Sequence, residues 1–128
     1  IPDLVHNFVL QAVFEAQPAP AEEMERLLEA ARSRRKLSQP VGASAGCIFK
    51  NPEEIPAGKL IDELGLKNAC VGDACVSSVH ANFIINRGHA RARDITILID
   101  MIRKEAKENR GIDLKSEAQV IGDRDPQF

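Results

Sequence analysis

Aromatic side chains and excess positive charge are what this sequence lacks most clearly. Tryptophan and tyrosine are absent, and aromatic residues make up 4% of the chain. Stacking platforms for single-stranded nucleic acids are therefore scarce. The formal net charge of -2 argues against electrostatic attraction to nucleic acid or to an anionic membrane. No apolar run approaches the ~20 residues of a membrane-spanning helix, and no signal-peptide pattern opens the chain. We therefore expect no nucleic-acid partner and no membrane partner.

Cysteine is also sparse, with three residues at positions 47, 70 and 75. This odd set lacks the spacing of metal ligands, so we predict no metal site. Such usage is typical of free thiols in a reducing cytoplasm. Cys70 and Cys75 are expected to act as small buried hydrophobic side chains.

The 128 residues are 44% hydrophobic and 28% charged, a composition typical of one globular domain that buries a core without staples. The first residue is Ile1, and strand-like alternation begins almost at once. We therefore interpret the chain as a piece of a longer protein, with a domain at residues 1–122 and a flexible tail at 123–128.

Apolar periodicity predicts strands and helices in no regular order. An alternation over residues 4–16 predicts a strand, and Pro20 is well placed to open a helix with the apolar stripe Met24, Leu27, Leu28 and Ala31. The later predicted elements are a short helix at 57–64, extended segments at 69–77 and 83–85, a long helix at 94–109 with Asp94 as N-cap and Gly111 beyond its end, and a strand at 113–121. Because there is no regular βαβ alternation, we expect an α+β fold: two layers, with mixed strands and helices packed on the sheet.

Residues 44–52, Ser-Ala-Gly-Cys-Ile-Phe-Lys-Asn-Pro, combine the most chemistry in the shortest length. Gly46 permits a tight turn, and Cys47 opens a short predicted strand that ends at Lys50 and Asn51. A thiol beside a cation and an amide suggests a place where an anionic ligand meets a proton donor. A glycine turn into a core strand with a buried thiol fits the same pattern equally well.

Four further residues are candidates with simpler alternatives. Lys59 lies at the start of the short helix and could reach the end of the predicted strand that Cys47 opens, although a surface lysine fits its spacing better. His80 and Asn82 precede a buried strand, where a hydrogen-bonded structural histidine is an equal alternative. Glu117 falls on the polar face of the last predicted strand, which by itself favours plain exposure to solvent.

Several stretches, in the same order along the chain, resemble one family. They are residues 44–52, Ala-Gly-Lys-Leu-Ile at 57–61, Val76-Ser77, His-Ala-Asn-Phe-Ile at 80–84, the alternating Asn86, Gly88, Ala90, Ala92 and Asp94, and Glu-Ala-Gln-Val-Ile-Gly at 117–122. Together they resemble the C-terminal, substrate-binding domain of the UDP-N-acetylenolpyruvoylglucosamine reductase (MurB) family. The resemblance covers nearly the whole chain.

The resemblance implies a flavoenzyme that reduces UDP-N-acetylglucosamine enolpyruvate to UDP-N-acetylmuramate, with electrons passing from NADPH to FAD to the enolpyruvyl group. It implies that Cys47, where the family more often has serine, donates a proton with assistance from Glu117. The substrate-binding positions it suggests are Lys50, Asn51, Lys59, His80 and Asn82. Since the family's FAD-binding domain lies mainly upstream, that domain is the missing partner. We expect neither FAD nor NADPH to bind this chain alone, and no residue here is assigned to them.

Two other functions stay open from the residues. The chain could be a non-catalytic nucleotide-sugar binding module of the same fold. It could also be a cysteine-nucleophile enzyme built on Cys47 and His80, which requires the thiol and the imidazole within hydrogen-bond reach.

Overall fold

A computed structural model describes residues 10–119 of the chain. It confirms the predicted α+β class, since the described part contains three helices and one four-stranded sheet. In chain order the elements are α1 (Ala21–Ser38), β1 (Ser44–Cys47), α2 (Ala57–Glu63), β2 (Cys70–Val71), β3 (Ala74–Val76), β4 (Phe83–Asn86) and α3 (Ala92–Arg110).

The sheet runs in the order β1-β4-β3-β2, and every neighbouring pair is antiparallel. Helix α3 packs against β2 and β3, and α2 packs against α3. The core lies between these layers. Its fully buried side chains include Leu60, Ile61, Val76, Leu98 and Ile102, and each such side chain contributes roughly 1.5–3 kcal/mol by burial.

Helix α3 carries the predicted apolar stripe, since Leu98, Ile99, Ile102 and Ala106 are all buried. Its start differs from the prediction by one turn. The N-cap is Arg91, and Asp94 is the third helical residue, where its Oδ2 accepts the Arg91 N–H at 2.8 Å. A carboxylate here still stabilises the helix, because it satisfies a donor at the positive end of the dipole. The predicted end at Gly111 is confirmed by its left-handed φ of 68°.

The prediction of a strand at residues 4–16 is wrong for the part that is described. Residues 10–20 form neither helix nor strand, and Leu10, Val13 and Phe14 are exposed; residues 4–9 lie outside the description. Alternation alone cannot form a strand, because a strand needs a neighbour to satisfy its backbone groups.

Helix α1 forms where predicted, but none of its residues is buried. The apolar positions Met24, Leu27 and Leu28 are each at least half exposed. The chain divides into two units, Ile1–Arg32 and Ser33–Phe128, and the sheet, α2 and α3 all belong to the second.

The predicted strand at 113–121 is reduced to one isolated bridge between Phe49 and Ser116 in the described residues. The segment crosses residues 48–50 and is held by backbone bonds from Lys50 N to Lys115 O at 2.9 Å and from Glu117 N to Ile48 O at 2.7 Å. Among residues 113–119 Leu114 is the one buried side chain. The alternation of residue types therefore does not correspond to a buried face of a strand. Residues 120–121 and the predicted tail at 123–128 lie outside the described part.

Cys70 and Cys75 form a disulfide, so the prediction of three free thiols is wrong. The β2–β3 hairpin pairs these two residues directly across its register, with Cα atoms 4.1 Å apart. The turn that permits this register has Gly72 at its tip, with φ of 54°. Cys75 is buried as expected, but Cys70 is exposed.

No helix in residues 10–119 is both long and apolar enough to cross a membrane.

Candidate functional site

A bulge at Gly46 presents the thiol of Cys47 to solvent. In the β1–β4 pair Ser44 lies opposite Ile85 and Cys47 opposite Phe83, so β1 accommodates one residue more than β4. Gly46 absorbs the irregularity with φ of 78°. Cys47 is a free, exposed cysteine, and a Cβ placed on Gly46 would meet nothing within 4 Å. The alternative of a buried thiol is therefore wrong, and the space beside the sulfur is open.

The two residues after Cys47 do enter the core. Ile48 and Phe49 are each 1% exposed. The change from exposed to buried within one residue means that the backbone holding the thiol is anchored by the hydrophobic core. A proton donor benefits from such an anchor, because its geometry is then fixed before the substrate arrives.

Asn82 holds this backbone from the opposite side. Its side-chain Oδ1 accepts the Phe49 N–H at 3.0 Å, and its Nδ2 donates to the Phe49 carbonyl at 2.8 Å. Its own carbonyl accepts the Ile48 N–H at 2.9 Å. Asn82 is 3% exposed. The predicted direct contact of this side chain with substrate does not fit a buried amide that already bonds the protein with both polar atoms.

Glu117 and Cys47 lie together although they are distant in sequence. The Glu117 N–H bonds the carbonyl of Ile48, the residue after the thiol. Partial burial of the sulfur raises the pKa of the Cys47 thiol, the negative charge of Glu117 raises this pKa further, and hydrogen bonding from the Asn82 side chain lowers it. The balance favours the protonated thiol.

Lys50, Asn51 and Lys59 are exposed polar residues that follow Cys47 in the chain. Asn51 Oδ1 accepts the N–H of Ala57, the first residue of α2, at 3.0 Å, while its Nδ2 has no protein partner among residues 10–119. Lys59 is paired only loosely with Glu63, at 3.9 Å between the charged atoms. These groups have the charge and the donors to meet an anionic ligand, and none is committed to the core.

His80 is held by the protein. Its Nδ1 accepts the Asn82 N–H at 3.2 Å, and its ring meets Phe83 edge-on with centroids 5.0 Å apart. Cys47 and His80 share no hydrogen bond in the described part of the chain. The cysteine-nucleophile hypothesis therefore has no geometric support.

Sequence reasoning missed two residues that shape this region. Ser77 is 1% exposed, and its hydroxyl oxygen accepts the N–H groups of Val79 and His80; a serine two and three residues before these positions is a known turn signal. Gly58 faces the ring of His80 so closely that a Cβ would lie 2.7 Å from its Cε1. No sequence signal announces that second contact, because it joins α2 to a distant loop.

Comparisons with known proteins show which family this chain is similar to. Residues 36–121 match the family model for the C-terminal domain of UDP-N-acetylenolpyruvoylglucosamine reductase. The reductase of that name from Geotalea uraniireducens is 44% identical over 91% of this chain and 39% of its own length, and one from Bacillus licheniformis is 40% identical over 90% and 63%. The crystal structure of the Thermus caldophilus enzyme is similar with a TM-score of 0.68 and 43% identity, covering 81% of this chain and 36% of that one. The chain thus spans about two fifths of the length of the first of these relatives.

Proposed function

We propose, on the premise that this chain belongs to the UDP-N-acetylenolpyruvoylglucosamine reductase family through its C-terminal domain, that it is the substrate-binding part of a flavin-dependent reductase. The proposed reaction converts UDP-N-acetylglucosamine enolpyruvate to UDP-N-acetylmuramate. It is an oxidoreductase step of peptidoglycan biosynthesis, and its need for NADPH and a nucleotide sugar places the protein in the cytoplasm.

The observation that carries the proposal is the meeting of Cys47 and Glu117. An exposed thiol is anchored by core residues, and a carboxylate from a distant segment raises the pKa of that thiol. A thiol that stays protonated can act as a general acid. Reduction of an enolpyruvyl double bond requires such an acid, because hydride addition at one carbon leaves negative charge that a proton must neutralise at the other.

In the proposed step Cys47 gives its proton to the substrate carbon next to the carboxylate. The S–H bond breaks, a C–H bond forms, and the thiolate that remains takes a proton from solvent before the next turnover. When bound, FAD reduced by NADPH supplies the hydride. Glu117 assists by holding the thiol in its protonated form until negative charge develops on the substrate.

Lys50, Asn51 and Lys59 are the proposed contacts to the anionic substrate, with the free Nδ2 of Asn51 as a donor. Cys47, Glu117 and these three residues are all exposed, and in the proposed site they form one wall. An isoalloxazine ring needs a more enclosed setting, so we assign FAD and NADPH to the part of the full-length protein outside this chain. His80 is retained only as a neighbour of the site.

The missing FAD-binding domain is the proposed partner of helix α1. Met24, Leu27 and Leu28 form an exposed apolar stripe on α1, and this chain spans 39% of the length of the Geotalea uraniireducens relative and 36% of the Thermus caldophilus chain. An exposed stripe of this kind is typical of a surface that packs against another domain.

The test is turnover and substrate binding in the full-length protein that contains this chain. Cys47→Ala is expected to reduce turnover by about 10²–10⁴-fold, the usual contribution of a positioned acid, while the affinity for a UDP-sugar stays nearly unchanged. Cys47→Ser is the matched control, because a hydroxyl keeps the proton and the size. Unchanged turnover in Cys47→Ala would refute the proton-donor role.

A non-catalytic nucleotide-sugar binding module is the second candidate, and the exposed Lys50 and Lys59 favour it as much as they favour the reductase. The two are separated by the same variants. A binding module retains nucleotide-sugar affinity in the wild type but shows no NADPH oxidation with the enolpyruvyl substrate, whether or not Cys47 is present.

A further inference from the structure

We propose that Ser116 is a positioning residue for Glu117: its hydroxyl joins the main chain that follows Glu117 to the main chain that follows Cys47. This role deepens the proposed function and rests on it, because Glu117 assists Cys47 in the proposed proton transfer. Ser116 acts through the glutamate and does not itself touch the substrate in this proposal.

The carboxylate of Glu117 is carried by a segment with few anchors in the core. Within residues 113–119, which follow α3, Leu114 is the one buried side chain, at 2% exposure. Ala118 is partly buried against the core, and Glu117 itself is exposed. Hydrophobic packing therefore holds residues on either side of the glutamate but does not fix the glutamate itself.

The carbonyl of Ile48 is the point at which this segment attaches beside the thiol. It accepts the Glu117 N–H at 2.7 Å, and the Ala118 nitrogen lies 3.4 Å from the same oxygen. Ile48 is 1% exposed and directly follows Cys47 in the chain. A single, well-anchored carbonyl therefore sets how the backbone of Glu117 lies relative to that of Cys47.

The Ser116 hydroxyl adds a second connection at the same point. Its Oγ lies 3.2 Å from the Ala118 carbonyl oxygen and 3.4 Å from the Ile48 carbonyl oxygen. A serine hydroxyl carries one hydrogen, and sharing it between two acceptors gives contacts longer than the ~2.7–2.8 Å of a single O–H···O bond. The hydroxyl thus bonds both the carbonyl after Glu117 and the carbonyl that Glu117 itself bonds, which restricts rotation of the backbone between them.

A restricted backbone matters for an exposed carboxylate. On a freely moving segment the carboxylate would lose conformational entropy each time it took up a productive position, whereas a fixed backbone leaves only the side chain to be ordered. Replacing Ser116 with alanine removes the donor. Replacing it with threonine keeps the hydroxyl and its hydrogen, so the two substitutions separate the hydrogen bond from the size of the side chain.

The experiment measures steady-state turnover of the full-length protein with the enolpyruvyl substrate. Ser116→Ala is expected to lower kcat about 3- to 10-fold, the factor that corresponds to one lost hydrogen bond, with KM nearly unchanged, and Ser116→Thr should retain the wild-type kcat. Thr96→Val is the matched control, because it also removes a hydroxyl that donates to a main-chain carbonyl, at 2.9 Å, but within α3. An unchanged kcat in Ser116→Ala, or an equal loss in Thr96→Val, would overturn the proposal.

A double variant shows whether Ser116 acts through Glu117. In Glu117→Gln the carboxylate that Ser116 positions is already absent, so adding Ser116→Ala should cause no further loss of kcat. A loss in that background as large as the loss in the wild type would mean that Ser116 acts by another route, and the proposal would be wrong.

Amide hydrogen exchange in the full-length protein measures the positioning without turnover. The Glu117 N–H is expected to exchange about 3- to 10-fold faster in Ser116→Ala, again the factor of one lost hydrogen bond. The Phe49 N–H, which bonds the buried side chain of Asn82, should keep its wild-type rate and serves as the internal reference. An unchanged rate at Glu117 contradicts the proposal.

The two claims fail separately. If Cys47→Ala keeps full turnover, the proposed function falls, whereas faster exchange at Glu117 in Ser116→Ala still shows that the serine holds this segment. If turnover depends on Cys47 and Glu117 but is unchanged in Ser116→Ala, only the positioning role falls.

Discussion

Replacing Gly58 with alanine tests whether the ring of His80 is held in a fixed position against α2. Gly58 is the second residue of α2, and an added Cβ would lie 2.7 Å from Cε1 and 3.1 Å from Nδ1 of His80. The ring cannot retreat easily, because its Nδ1 accepts the Asn82 N–H and its edge rests on Phe83.

Two opposing effects decide the sign. Glycine to alanine in a helix stabilises by up to about 1 kcal/mol, since the unfolded chain loses freedom. Overpacking typically costs about 1–3 kcal/mol, and weakening the His80–Asn82 hydrogen bond adds about 1 kcal/mol. The clash wins, and we expect a net loss of about 1–3 kcal/mol, or roughly 4 °C in Tm for each kcal/mol in a domain of this size.

The assay is thermal unfolding of the wild type, Gly58→Ala, His80→Ala and the double variant. Once the ring is removed, Gly58→Ala should become neutral or stabilising, so the cycle should give a coupling of at least about 1 kcal/mol. Lys59→Ala, one residue further along the helix and exposed, should change stability by less than about 0.5 kcal/mol. A higher Tm for Gly58→Ala with His80 present would refute the reasoning, because it would mean that the imidazole is free to move.

Three further predictions concern the thiol, the disulfide and the core. Glu117→Gln should lower the pKa of the Cys47 thiol, because it removes a negative charge; ultraviolet thiolate absorbance against pH measures this, and the difference from wild type should shrink with added salt. Reducing the Cys70–Cys75 bond, whose sequence separation is 5, should lower stability by about 2 kcal/mol. Reductant should therefore lower the Tm of the wild type but not that of Cys70→Ser. An equal Tm of the wild type with and without reductant would contradict a stabilising disulfide. Leu98→Ala, at a fully buried position, should cost about 2–5 kcal/mol in denaturant unfolding, and a smaller loss would place α3 off the core.

Local signals were enough to predict α3, because its apolar period and Gly111 act within the helix itself. They were misleading at residues 10–16, where alternation requires a neighbouring strand that the described residues do not supply. The disulfide was not predicted, because an odd number of cysteines says nothing about the register of a hairpin. Cys47, Lys50 and Glu117 were named as candidates from the sequence. The proximity of Glu117 to Cys47, however, depends on the segment after α3 crossing Ile48, which no local pattern encodes.

The pH dependence of turnover gives the sharpest test of why a thiol stands at position 47. A proton donor must keep its proton until the substrate needs it, and only the protonated thiol can donate. Since burial and Glu117 hold the pKa of Cys47 above its ordinary value, turnover of the full-length protein should stay level through neutral pH and fall as the pH rises through the thiol titration. Cys47→Ser should lack this alkaline fall, because an alcohol keeps its proton throughout.

The same titration acts on folding with a definite sign. A raised folded-state pKa stabilises the chain while the thiol is protonated, and that contribution is lost as the pH rises through the folded pKa. Alkaline pH should therefore lower the Tm of the wild type more than that of Cys47→Ser. If turnover of the two proteins declined along the same alkaline curve, the titrating group would be another residue, and Cys47 could not be the acid that gives the substrate its proton.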